Sequence, residues 1–208
     1  MSFADIINID ITVYLDGFHG DCSKTYAVGD IDNKAKKLIK TTEECLNIGI
    51  DLCHPGKTSI SRKKSLFWLK MNYNRNLKYL PNLTTYIVYT YFREIYIFFY
   101  LGQCYSAIGA RIEAHAKQSG FKIIPMFAGH GIGTYFHGPP DIYHIRNSYI
   151  RNMEPGVTFT IEPILSEGSD EVFILDDNWT AITADNSRAA QAEHTVLITD
   201  TGCEILTI

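Results

Sequence analysis

Residues 8–26, NIDITVYLDGFHGDCSKTY, decide the reading of the fold. From residue 6 to residue 15 the side chains alternate strictly. Ile7, Ile9, Ile11, Val13 and Leu15 fall on one side, and Asn8, Asp10, Thr12 and Tyr14 on the other. A period of two marks a β-strand. Asp16-Gly17 is a two-residue hairpin turn, and residues 18–28 form the returning strand. With that turn, Leu15 faces Phe18, Thr12 faces Asp21 and Asp10 faces Ser23. Asp10 and Asp21 then lie on the same side as diagonal neighbours, about 7–8 Å apart at Cα. Two carboxylates so placed repel each other unless a cation or a proton stands between them. A solvated polar face behind an aliphatic one is the competing reading.

Outward from the hairpin, a helix is expected after Asp30 or Asp32, either of which can cap it. Its inward stripe is Ala35, Leu38, Ile39, Thr42, Cys45, Leu46 and Gly49. Pro55-Gly56 ends that segment, and Thr58 or Ser59 can cap a further helix. A helix body resumes at Ser106 and stops at Gly120. After FKIIP and a Gly/His-rich segment, AGHGIGTYFHGPP, strands are expected in VTFTIEP, near 171–182 and at 190–198. Strands, then helices, then strands point to an α+β fold.

At 208 residues the chain has the size of a single domain, and 46% apolar with 20% charged residues is a globular composition. A net charge of -4 argues against broad nucleic-acid binding. The average hides two populations. Residues 62–105 hold 7 of the 19 basic residues, a single acidic one (Glu94), and 8 of the 13 tyrosines, which leaves the rest of the chain at a net of -10. Five cysteines with no C-x-x-C pair argue against a disulfide framework and for a reducing, cytoplasmic compartment. The start, MSFAD, lacks the charged and apolar regions of a secretory signal. The most apolar stretch, 86–101, is too short for a transmembrane span and carries Arg93 and Glu94 at its middle. No membrane association is expected.

Four further residues carry chemistry. His130 stands between glycines in GHGIG, where the backbone is free to approach a ligand closely. His137 follows after Phe136. Glu162 shares a strand face with Thr158 and Thr160, and Glu193 shares one with Gln191 and Thr195. Each alone is more often plain surface. Together, Asp10, Asp21, Glu162 and Glu193 with His130 supply four carboxylates and one imidazole, a set suited to two divalent cations such as Mn²⁺, Fe²⁺, Co²⁺ or Zn²⁺.

In order and spacing these motifs resemble those of the type I methionine aminopeptidases of the pita-bread metallopeptidase family. The matching stretches are residues 8–26, GHGIG with FH at 129–137, EPGVTFTIEP at 154–163, DNWTAIT at 177–183 and AAQAEHTVLITDTGCEILT at 189–207. The resemblance implies pseudo-twofold αβ halves around one curved antiparallel sheet. It implies Asp10 as ligand of one metal, Asp21 and Glu193 as bridges between two metals, and His130 and Glu162 as ligands of the other. It gives Glu162 a proton-shuttling role, His137 a contact to the scissile amide, and Phe136 and Trp179 the walls of a methionine pocket. The implied activity is removal of the initiator methionine from nascent peptides with a small second residue. Ribosome association is a further expectation. Only 31 positions separate Glu162 from Glu193, which leaves no room for the helical subdomain of the type II enzymes. A prolidase or aminopeptidase P acting on Xaa-Pro bonds is the rival enzyme, and an impaired fragment or binding module of the same fold is the non-enzymatic alternative.

Two departures from the family pattern are expected to matter. The chain reads as a single catalytic domain, 1–208, lacking the family's earlier segment, which carries another catalytic histidine and part of the methionine pocket. Residues 62–105 have no counterpart in the family. They read as a lineage-specific loop contacting RNA or a membrane surface, as an interaction module, or as an intron translated in frame. The third is preferred, because Phe, Tyr, Ile, Lys and Asn abound while Ala and Asp are absent.

Overall fold

The computed structural model describes residues 4–55 and 104–207. The first hairpin forms with the expected register. β1 (Ala4–Leu15) and β2 (Phe18–Gly29) are antiparallel, with Leu15 opposite Phe18, Thr12 opposite Asp21 and Asp10 opposite Ser23. The turn residues Asp16 and Gly17 have φ of 51° and 91°, the left-handed conformation that Asp-Gly turns accept.

α1 (Asn33–Asp51) begins at Asp32, whose side chain accepts from the Ala35 N–H at 2.8 Å. Arg188 then holds the same carboxylate at 2.8 Å and reaches Glu167 as well, tying the helix start to the sheet. The buried stripe keeps Ala35, Leu38, Thr42, Cys45, Leu46 and Gly49 of the expected one and adds Thr41 and Ile50, while Ile39 is only half-buried. α2 (Tyr105–Ser119) ends at Gly120, φ 86°. The helix starting near Thr58, the stretch 86–101 and nearly all of the compositionally foreign segment lie outside the described residues. Among the described residues no helix is long and apolar enough to cross a membrane.

After α2 come β3 (Lys122–Ile123), β4 (Gly129–Gly131), β5 (Gly138–Ile142), β6 (Thr158–Ile161), β7 (Ile164–Ser166), β8 (Val172–Ile174), β9 (Ala181–Thr183), β10 (Ala189–Ile198) and β11 (Cys203–Ile205). The main sheet runs β1-β2-β10-β6-β4-β5, with β7 and β11 also on β10, and β3 on β7. β10 is the spine. One face of it, Ala190, Ala192, Val196 and Ile198, packs with Phe159, Ile161 and Leu165 against Leu38, Cys45, Ile108 and Ile112 of the two helices. Phe159 is fully buried, and deleting such a ring costs about 3–5 kcal/mol.

One expectation needs correcting. The stretch 171–182 is a separate hairpin, β8–β9, rather than one strand. Asp177 takes the backbone N–H groups of Trp179 and Thr180, and Asn178 turns left-handed at φ 57°. The aliphatic side of β1 is open. Ile9, Ile11, Val13 and Leu15 are 47–72% exposed, because the two described helices pack behind β10 and β6 and stop short of the hairpin's far edge.

Candidate metal centre

Strand register assembles the acidic residues in rows across one face of the sheet. Asp10 lies opposite Ser23, and Ser23 lies opposite Glu193. β6 and β7 share one register against β10, interrupted only at Glu162-Pro163, where proline has no N–H to donate. Carrying that register across the break sets Glu162 opposite Glu193. Asp10, Ser23, Glu193 and Glu162 therefore form one row over four strands. The adjacent row is Thr12, Asp21, Thr195, Thr160 and His130. Thr12 pairs with Asp21 and Thr195 with Thr160. The Gly131–Phe159 pairing places His130 beside Thr160. Directly opposed residues point to the same side of a sheet, so all five predicted donors share one face.

Ligand atoms of Asp21, His130 and Glu193 lie within 4.8 Å of one another. His130 Nε2 is 3.6 Å from Glu162 Oε1. Asp21 and Glu193 are only 5% and 2% exposed. Burial pushes the Glu193 carboxyl up to about 10, aided by Glu162, Asp21 and Asp10. Burial likewise raises Glu162 to about 8, opposed by the Thr160 hydrogen bond and aided by Asp21 and Asp10. Asp10 is raised by burial and by Asp21. His130 is lowered, chiefly by burial. A protein that packs carboxylates until they retain protons has a site that gains from a cation. Oxygen donors with one imidazole fit hard or borderline divalent ions.

Neutral side chains hold the donors. The Thr160 hydroxyl accepts the His130 N–H at 2.9 Å and donates to Glu162 Oε1 at 2.8 Å. Thr12 donates to Asp21 Oδ1 at 2.8 Å. Thr195 Oγ1 accepts from the Asp21 N–H and donates to the Asp21 carbonyl. Gln191 reaches Glu162 Oε2 at 3.4 Å. Buried His144 accepts the Glu162 backbone N–H at Nε2, 3.1 Å. The sequence placed Thr160, Gln191 and Thr195 on the right faces but assigned them no role. His144 left no signal in it.

The glycines around His130 serve the sheet. A Cβ at Gly129 would meet the Thr160 carbonyl, and one at Gly131 the Pro139 carbonyl. These glycines let neighbouring strands close in, which replaces the expectation that they admit a ligand. The chain then brings Phe136 and His137 over the site. Their rings are 3.8 Å apart, His137 is 4.3 Å from His130, and Phe136 packs against His130 and His19 at 5.7 Å each. Trp179 is elsewhere, 89% exposed at the tip of β8–β9. Among the described residues it makes no ring contact with this group.

This donor set, on an α+β sheet backed by two helices, is of the kind that suits divalent metal ions. The chain belongs to metallopeptidase family M24, whose model matches residues 1–68 and 97–200. It is 42% identical to methionine aminopeptidase 1B, chloroplastic, of Arabidopsis thaliana, over 98% of this chain and 42% of that protein. It is 39% identical to methionine aminopeptidase 1D, mitochondrial, of Homo sapiens, over 98% of this chain and 47% of that one. The chain thus spans under half the length of these two curated relatives. The crystal structure of methionine aminopeptidase from Rickettsia prowazekii superposes with a TM-score of 0.76 at 30% identity, over all of this chain and 66% of that one. Prolidase from Pyrococcus furiosus, at 17% identity and a TM-score of 0.62, shares the fold.

Proposed function

We propose that this chain carries the chemistry of a metal-dependent methionine aminopeptidase, releasing the first methionine from nascent peptides with a small second residue. The observation that carries this reading is the pair of adjacent rows holding Asp10, Glu193, Glu162, Asp21 and His130 on one face of the sheet, with Asp21 and Glu193 buried, His130 and Glu162 half-buried and Asp10 at the exposed edge. Asp10, Asp21, Glu193, His130 and Glu162 would hold two divalent ions, with Asp21 and Glu193 shared between them. Bound there, the metals supply an acidified water and a Lewis acid for the scissile carbonyl.

The chain's own residues do the rest. Glu162 accepts the proton of the attacking water and returns it to the leaving amine; Thr160 and Gln191 orient its two oxygens. His137, exposed beside His130, is placed to donate to the amide. Phe136 offers an apolar, polarizable wall to a thioether. Trp179 joins that wall only if the β8–β9 hairpin folds toward it.

The curated relatives named above favour this reading over an Xaa-Pro peptidase, since the prolidase likeness extends to fold alone. The names of those two relatives place them in chloroplast and mitochondrion; for this chain a cytoplasmic location and ribosome association belong to the same proposal. The family match passes over residues 69–96 but takes in 62–68 and 97–105, which supports reading only the inner part of the foreign segment as an addition to the catalytic body. An mRNA that retains residues 62–105 ends the intron account.

The test is turnover by the full chain reconstituted with Mn²⁺ or Co²⁺, on Met-Gly-Met and on an Xaa-Pro dipeptide. Methionine release that is lost in Glu162→Gln supports the proposal. Preference for the Xaa-Pro substrate, or folded, metal-loaded protein without turnover, refutes it.

A further inference from the structure

His144 lies just past β5 and is 2% exposed. It touches no other donor of the acidic cluster in the hydrogen-bond pattern; it grips Glu162 by the backbone. Nε2 accepts the Glu162 N–H at 3.1 Å. The ring also bonds the Phe127 carbonyl. With Nε2 occupied as acceptor, Nδ1 must be the donor to Phe127, which fixes the neutral tautomer. Phe127 precedes β4, which carries His130, and Glu162 follows β6. One imidazole therefore connects the entry of the His130 strand to the exit of the Glu162 strand.

The Glu162 N–H needs this partner. Its residue sits where the β6–β7 ladder is interrupted, beside a proline that cannot donate. A buried N–H without an acceptor forces either a penalty or a backbone shift. A backbone shift at Glu162 moves its carboxylate relative to His130, now 3.6 Å away, and to Glu193 across the row. We infer that His144 is a positioning residue of the metal centre, holding Glu162 at the spacing from His130 and Glu193 that divalent cation binding and proton transfer require. This inference deepens the proposed function and rests on Glu162 being a ligand.

The experiment compares three variants of the full chain: His144→Phe, which keeps bulk without hydrogen bonds; His144→Gln, whose amide oxygen reaches the Nε2 position; and His144→Asn, whose amide reaches only the Nδ1 position. Affinity for Mn²⁺ alone is measured by titration calorimetry, alongside kcat and KM for Met-Gly-Met. His144→Phe and His144→Asn are expected to weaken Mn²⁺ binding roughly 10- to 100-fold and to lower kcat with little change in KM. His144→Gln is expected to recover most of both. If His144→Phe does not fold, the Gln and Asn pair decides. Equal Mn²⁺ affinity in Gln, Asn and wild type overturns the inference, as does equal impairment of Gln and Asn, which marks a packing role. Wild-type protein that binds Mn²⁺ but releases no methionine overturns the proposed activity and leaves the Mn²⁺ comparison standing.

Discussion

Glu193→Gln in metal-free protein is expected to be stabilising, increasingly so with pH. Glu193 is buried, and its carboxyl is raised from 4.5 to about 10. Between those values the folded chain keeps a proton that the unfolded chain has released. Fewer protons on the unfolded state means that stability falls as pH rises. The contribution is fully present below about pH 4.5 and is lost progressively toward pH 10. Each unit costs about 1.4 kcal/mol for this one group. Gln has nearly the shape of protonated Glu and does not titrate. Subtracting wild-type from variant stability cancels what His144, Cys203 and the surface carboxylates contribute to both. The difference should be under about 1 kcal/mol at pH 5 and grow by about 1.4 kcal/mol per unit, reaching about 5 kcal/mol at pH 8. Urea denaturation followed by circular dichroism, in EDTA, at pH 5, 6, 7 and 8 measures it. Excess Mn²⁺ should reverse the order at pH 8, stabilising wild type by mass action and the variant far less. Parallel stability curves for the two proteins from pH 5 to pH 8 would falsify the buried-carboxylate account. So would a variant that Mn²⁺ stabilises as strongly as wild type.

Three further outcomes follow from the same geometry. Thr160→Val removes the hydroxyl that serves both His130 and Glu162; Mn²⁺ affinity should fall roughly 10- to 100-fold, and the orphaned His130 N–H should cost about 1–3 kcal/mol in urea denaturation. Gly131→Ala drives a methyl into the Pro139 carbonyl, so it should destabilise by about 1–3 kcal/mol despite its small volume; a neutral effect in the same assay would show that β5 yields. Iodoacetamide at pH 7.5 should label Cys203 well before Cys45, read by peptide mass spectrometry. The Cys53 thiol draws Cys203 down to about 7, whereas burial pushes Cys45 up to about 12.

What the sequence could reveal follows the range of the interactions. The β1–β2 register was legible to the residue because a two-residue turn fixes it. With it came the shared face of Asp10 and Asp21. The face of Glu162 and that of Glu193 were legible from alternation within their own strands. Their being opposite each other was not, since that register is set by β6 and β7 packing over α1 and α2 behind β10. β4 and β5, 3 and 5 residues long, lie in a Gly/Pro-rich stretch with no period to read. The split of 171–182 turned on Asp177 capping a turn, a local signal overridden by the apolar run VFIL. Exposure of the β1 aliphatic side could not be foreseen, because alternation tells which residues share a side and not whether anything covers it.

The rows also explain why threonine recurs beside the carboxylates. Thr12 and Thr160 bond the carboxylates of Asp21 and Glu162, and Thr195 bonds the Asp21 main chain. A buried carboxylate must be oriented, and lysine or arginine would orient it most strongly. A cation of the protein's own would also satisfy the charge that a metal ion is to satisfy, lowering the gain from binding one. A hydroxyl donates and accepts through one atom and adds no charge. Thr160 uses both capacities, fixing His130 by its backbone and Glu162 by its carboxylate. A neutral hydroxyl fits the β-branched preference of a strand interior. Within one alternating pattern, Asp or Glu followed or preceded two positions away by Thr therefore reads as a donor with its orienting partner: Asp10 with Thr12, Glu162 with Thr160, Glu193 with Thr195. Of these three, the structure joins only Glu162 and Thr160 directly. Thr12 turns instead to the carboxylate of Asp21, which has no threonine two positions away on its own strand, and Thr195 to the Asp21 backbone. The pattern thus marks the site, while sheet pairing decides whether a hydroxyl holds its neighbour's carboxylate or its backbone.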